Sequence, residues 1–204
     1  MMLNGKLKKY DELLQHLINV VSSDRFLKNK SIGKEVPFFI FPFNPEDALK
    51  IEDSVENIIK KLKYEKGITI LNINLYKIAI DMLKEEDVFD SILENESSME
   101  KDDLLDTLQS LLDPETNLIP KIKEYISDKK FDVVFITGVG EVYPYIRSHT
   151  VLNNLQSTIE DQPTVMFFPG EYNYSETKGA SLDLFNMMPG YRYYRAFNIL
   201  NRQI

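Results

Sequence analysis

The sequence predicts an α/β fold: a mostly parallel sheet of four to five strands with helices on both faces. Three observations carry this. Apolar, β-rich runs recur along the chain, the segments between them space their apolar residues for helices, and no repeat or low-complexity stretch competes. Strands separated by helices imply right-handed crossovers and therefore a parallel sheet. At 204 residues the chain reads as one α/β domain, residues 1–204, with an acidic helical excursion at about 84–128.

From Leu7 onward, Tyr10, Leu13, Leu14, Leu17, Ile18 and Val21 fall at three- and four-residue steps, an amphipathic helix. Val36 to Phe43 is an aromatic run with a proline near each end, read as a strand covered on both faces. Asn44-Pro45-Glu46-Asp47 then starts a helix: asparagine can cap, proline suits the first helical position, and the acids complement the positive end of the dipole. Ile51, Val55, Ile58, Ile59 and Leu62 form its buried stripe.

Ile68 to Leu75 is a second strand, followed by helical spacing from Tyr76 to Leu83. Leu104, Leu105, Leu108, Leu111 and Leu112 mark a helix stopped at Asp113-Pro114, with a shorter one from Leu118 to Ser127. Asp132 to Thr137 is the third strand, and a helix is expected from Pro144 to Leu155. Pro163 to Phe168 is the fourth strand, ending at Pro169-Gly170-Glu171-Tyr172, and Tyr193 to Leu200 is a fifth, at an edge.

Composition narrows the function. With 43% hydrophobic and 27% charged residues the chain is an ordinary globular protein. The longest apolar stretch is too short to span a bilayer, and the charged N-terminal pattern lacks the apolar core of a signal peptide, so a cytoplasmic protein is expected. The absence of cysteine excludes disulfides, thiolate zinc sites and cysteine nucleophiles. A net charge of −8 disfavours direct nucleic-acid binding, where phosphate neutralisation dominates. Twelve acids against one lysine, Lys101, lie between Glu85 and Glu115, a solvated helical face or a surface for a basic partner.

Ligands of parallel sheets bind outside the carboxyl ends of the strands. Four loops are expected there: Phe43-Asn44-Pro45, Asn74-Leu75-Tyr76, Thr137-Gly138-Val139-Gly140-Glu141 and Pro169-Gly170-Glu171-Tyr172. Gly138-Val139-Gly140 sits between a strand and a helix, as phosphate loops do, but lacks a third glycine and any phosphate-gripping lysine motif. A tight turn that needs glycine is the favoured reading, and a nucleotide-binding module without hydrolysis is the alternative.

Arg147-Ser148-His149 places a cation, a hydroxyl and an imidazole on one helical turn. Consecutive helical residues diverge, so no catalytic triad is expected there. Arg147 is instead expected to pair with Glu141 or Glu171. His16 and His149 are the only histidines, and no acidic cluster has metal-ligand spacing, so no metal and no cofactor are expected. The aromatic tail Tyr191 to Phe197 reads equally as a buried edge strand and as an interface.

Thr137 through His149, continuing through Leu152-Asn153-Asn154-Leu155-Gln156, resembles the hallmark of the BrxB family. Phe168-Pro169-Gly170-Glu171-Tyr172 and Tyr194-Arg195-Ala196-Phe197 resemble two further motifs of that family. The resemblance implies a small core component of a bacteriophage-exclusion (BREX) defence system. It also implies association with that system's alkaline-phosphatase-like PglZ-type protein, with its large BrxC-type ATPase as a second candidate, and it carries over no catalytic residue.

The resulting expectation is a non-catalytic scaffold or regulatory subunit that binds partners through the carboxyl edge of its sheet. Its candidate residues are Thr137, Gly138, Gly140, Glu141, Tyr143, Arg147, His149, Asn153, Asn154, Gly170, Glu171, Tyr172 and Arg195.

Overall fold

The computed structural model describes residues 2–28, 38–159, 161–175, 179–188 and 196–203. The chain divides into two compact units, one of residues 1–72, 130–135 and 161–204, the other of residues 73–129 and 136–160. The architecture is α/β with a mostly parallel sheet, as the alternation of runs predicts.

The first unit opens with α1 (Met2–Val21), whose buried face includes Leu17, Ile18 and Val21, and a short α2 (Asp24–Leu27). Strand β1 (Phe38–Phe43) leads through a 3-10 turn, Pro45–Asp47, into α3 (Ala48–Lys66). The Asn44 side chain accepts a hydrogen bond from the Glu46 amide at that turn, the cap its sequence implies. Gly67, at φ 68°, ends α3 in the left-handed conformation and donates its amide to Lys63.

The sheet runs in the order β2 (Ile70–Asn74), β3 (Val133–Thr137), β4 (Thr164–Ser175), β1, β6 (Phe197–Asn198), with β5 (Gly179–Leu184) pairing β4 antiparallel. One face of it presents Phe39, Phe41, Phe135, Val165 and Phe167 to α1 and α3 in a continuous core. Phe41 and Phe135 both meet the Phe167 ring, at 5.3 and 5.1 Å between centroids, which locks three adjacent strands together. Phe38, Ile40, Val134, Met166 and Phe168, which point to the other face, are buried as well.

In the second unit, Asn74 caps α4 (Leu75–Glu85) by accepting from the Lys77 amide, so β2 passes into a helix with no intervening loop. There follow α5 (Phe89–Asn95), α6 (Lys101–Leu111), a π-turn Pro114–Leu118 and α7 (Ile119–Ile126). Asp113 stops α6 as expected, and it also caps the π-turn through the amides of Glu115 and Thr116. The acidic helix α5 was not legible, because none of its residues is buried.

Three expectations are corrected. The helix expected from Pro144 is α8 (Ser148–Leu155). Val139, Val142 and Ile146 do bury at near-helical spacing, but they do so on successive turns around Pro144, which has no amide to donate. The segment Pro169 to Tyr172 is not a loop but the middle of β4. That strand pairs with β1 as far as Pro169 and with β5 from Gly170, so the missing proline amide falls where the partner changes. The edge strand ends earlier than expected: Phe197–Asn198 pairs with β1 at the sheet edge, Ile199 and Leu200 belong to a 3-10 turn, and Tyr193 to Arg195 lie outside the described residues.

Candidate functional site

Nine of the candidate residues fall in the second unit. Gly138, at φ 75°, packs against the start of α4. A Cβ there would lie 2.8 Å from Asn74 Oδ1 and 3.0 Å from the Tyr76 amide nitrogen, so both conformation and space demand glycine. Thr137 ends β3, and Gly140 lies in the turns that follow. The helix α8 begins eight residues beyond Gly140, so its amides do not directly follow the glycine turn as in a phosphate loop.

Glu141 is exposed and Tyr143 half-buried, in turns held partly by the Gln109 side chain donating to the Pro144 carbonyl. α8 buries Val151, Leu152 and Leu155 and leaves Arg147 and Asn153 exposed; Asn154 donates to the Thr150 carbonyl. The expected Arg147 ion pair is absent among the described residues. His149 sits at the second position of α8, and its pKa is held below the ordinary imidazole value by burial and then by the Arg147 charge.

Gly170, Glu171 and Tyr172 fall in the first unit, where β4 meets β5. A Cβ on Gly170, at φ 153°, would lie 2.1 Å from the Asp183 carbonyl oxygen, so this crossing admits only glycine. The crossing is reinforced by Asn173 donating to the Asp183 carboxylate. The Tyr172 hydroxyl donates to the Ala196 carbonyl at 3.0 Å. That bond ties the Pro169-Gly170-Glu171-Tyr172 segment to the aromatic tail, two motifs remote in sequence. Arg195 lies outside the described residues.

Beside this junction is a cavity of about 830 Å³ at the carboxyl ends of β1 and the middle of β4. Its apolar lining includes Leu13 and the buried Phe41 and Ile51, with Tyr10, Phe43 and Tyr172 as further aromatic lining residues. Glu46, Asp47, Lys50 and Glu171 stand among the polar lining residues, with Asp47 and Lys50 paired at 2.8 Å.

Residues of two of the four expected loops, Phe43 and Asn44 from one and Gly170, Glu171 and Tyr172 from the other, therefore line one cavity. The other two, Asn74-Leu75-Tyr76 and Gly138, pack on one another in the second unit. The contributions of Tyr10, Leu13 and Lys50 were missed. Their spacing identified them only as parts of helices, and nothing local points a helix face toward a cavity.

Among the described residues no group of three or more His, Asp or Glu could hold a metal ion, and no helix is long and apolar enough to cross a membrane.

Comparison with known proteins gives concordant matches. The family model described as "BREX protein BrxB" matches residues 71–199. A BREX protein BrxB of Bacillus cereus (strain H3081.97) is 31% identical over 198 residues, covering 96% of this chain and all of that protein. A BREX protein BrxB of Escherichia coli O9:H4 (strain HS) is 28% identical, covering 93% of each. No solved structure gives a significant match.

Proposed function

The chain belongs to the BrxB family and is a component of a BREX system, and from that premise we propose that it is a non-catalytic docking subunit. It binds partner proteins of the system through the carboxyl edge of its sheet. The PglZ-type protein is the first partner and the BrxC-type ATPase the second.

The observation that carries this reading is the cavity built on Gly170, Glu171 and Tyr172. It is a concave site lined by apolar and aromatic residues together with a few charged ones, the character of a protein anchor site. The Tyr172–Ala196 bond braces its wall, which supports a surface organised before binding rather than by it. Exposed Leu49, Tyr174 and Met187 adjoin lining residues in sequence and add apolar area of the kind docking covers.

The test is co-purification of the tagged chain with each other protein of its BREX system. The wild-type chain is expected to retain the PglZ-type protein, and Glu171→Ala together with Tyr172→Phe to lower the retained amount at least tenfold with an unchanged circular dichroism spectrum. Equal retention of every partner by the folded variant overturns the proposal.

A further inference from the structure

The cavity beside Tyr172 combines aromatic lining residues with an excess of carboxylates over cations among its described residues. Among its described lining residues are three carboxylates, Glu46, Asp47 and Glu171, and one ammonium, Lys50. Lys50 pairs with Asp47 at 2.8 Å and also feels the Glu46 charge, both of which raise its pKa, so one ammonium stands against three carboxylates among the described lining residues. Glu46 and Glu171 are exposed and form no ion pair among the described residues.

The walls are held in place. The Tyr10 hydroxyl is hydrogen-bonded to Ser54 Oγ at 3.0 Å and the Tyr172 hydroxyl to the Ala196 carbonyl. Both phenol tips are therefore engaged, while their rings line the cavity with Phe41 and Phe43.

We infer that this cavity receives an arginine or lysine side chain from a segment of a partner protein, an inference that rests on the docking reading above. The chemistry discriminates among occupants. An anion would meet an excess of carboxylates, and a purely apolar side chain would strip water from them without replacing its hydrogen bonds. A cationic side chain satisfies both halves of the site: its methylene stem and charged face pack on the aromatic rings while its head reaches the carboxylates. Arginine fits best, since a planar guanidinium stacks on rings and grips a carboxylate with two donors.

The experiment measures the affinity of the full chain for the PglZ-type protein at 50 and 300 mM NaCl, for the wild type, for Glu46→Gln with Glu171→Gln, and for the control Asp102→Asn with Asp103→Asn on α6. The expected result is at least a tenfold loss with the glutamine pair, a flatter salt dependence, less than a twofold change in the control, and displacement of the partner by tri-arginine but not by tri-glutamate. A glutamine pair that binds within twofold of wild type overturns the inference and leaves docking intact. A control that loses as much as the glutamine pair also overturns it, since attraction would then be general to an acidic protein. Failure of the wild type to bind the partner removes the docking reading and this inference together.

Discussion

His149 is the residue whose environment yields the most direct test. Burial and the neighbouring Arg147 charge both disfavour the imidazolium, so the folded pKa lies below its ordinary value of 6.5. The unfolded chain takes up this proton near pH 6.5, the folded chain only at lower pH. The stability the group contributes is thus present above pH 6.5 and lost as pH falls through the folded value. The melting temperature of the wild type should drop more between pH 7.5 and 5.5 than that of His149→Gln; parallel curves would show that the group does not couple to folding. The histidine itself was visible in the sequence, but its burial was not, because no local pattern reports how deeply a helix start is packed.

Elements carry a contrast between two glycines. At Gly67 the strain is conformational alone, since a Cβ would meet nothing within 4 Å, and Gly67→Ala should cost about 1 kcal/mol for the left-handed backbone. At Gly170 the same methyl group would strike the Asp183 carbonyl of the paired strand. Relieving that contact means separating β5 from β4, so Gly170→Ala should cost about 3 kcal/mol or more. Denaturant unfolding of both variants checks the order, and equal losses would show that the β4–β5 crossing yields easily. The helix stop at Gly67 follows from local chemistry. The demand at Gly170 comes from the paired strand β5 and is invisible in its own neighbourhood.

Charge acts on the molecule as a whole. All twelve acids between Glu85 and Glu115 belong to the second unit, and among the described residues only Glu85 has an ion pair, with Lys121 at 2.7 Å. Asp102, Asp103 and Asp106 lie on one stretch of α6 at three- and four-residue spacings, where like charges oppose the helix by about 0.2–0.5 kcal/mol per pair. Raising NaCl from 20 to 300 mM should therefore raise the melting temperature, and Asp106→Asn, which removes both pairs and leaves the first-turn acids in place, should raise it at low salt alone. A fall with salt would mean that attractive pairs dominate.

By itself the sequence determined the α/β class, the order of its main elements, the Asn44 cap and the family, because periodicity, capping and motif are properties of neighbouring residues. Tertiary structure alone decided that β4 continues through Pro169, that Tyr172 bonds to Ala196, and that Tyr10 shares a cavity with Glu171. Each of these depends on which strand lies beside another. Strand pairing joins segments far apart in the chain, and no local pattern records their register.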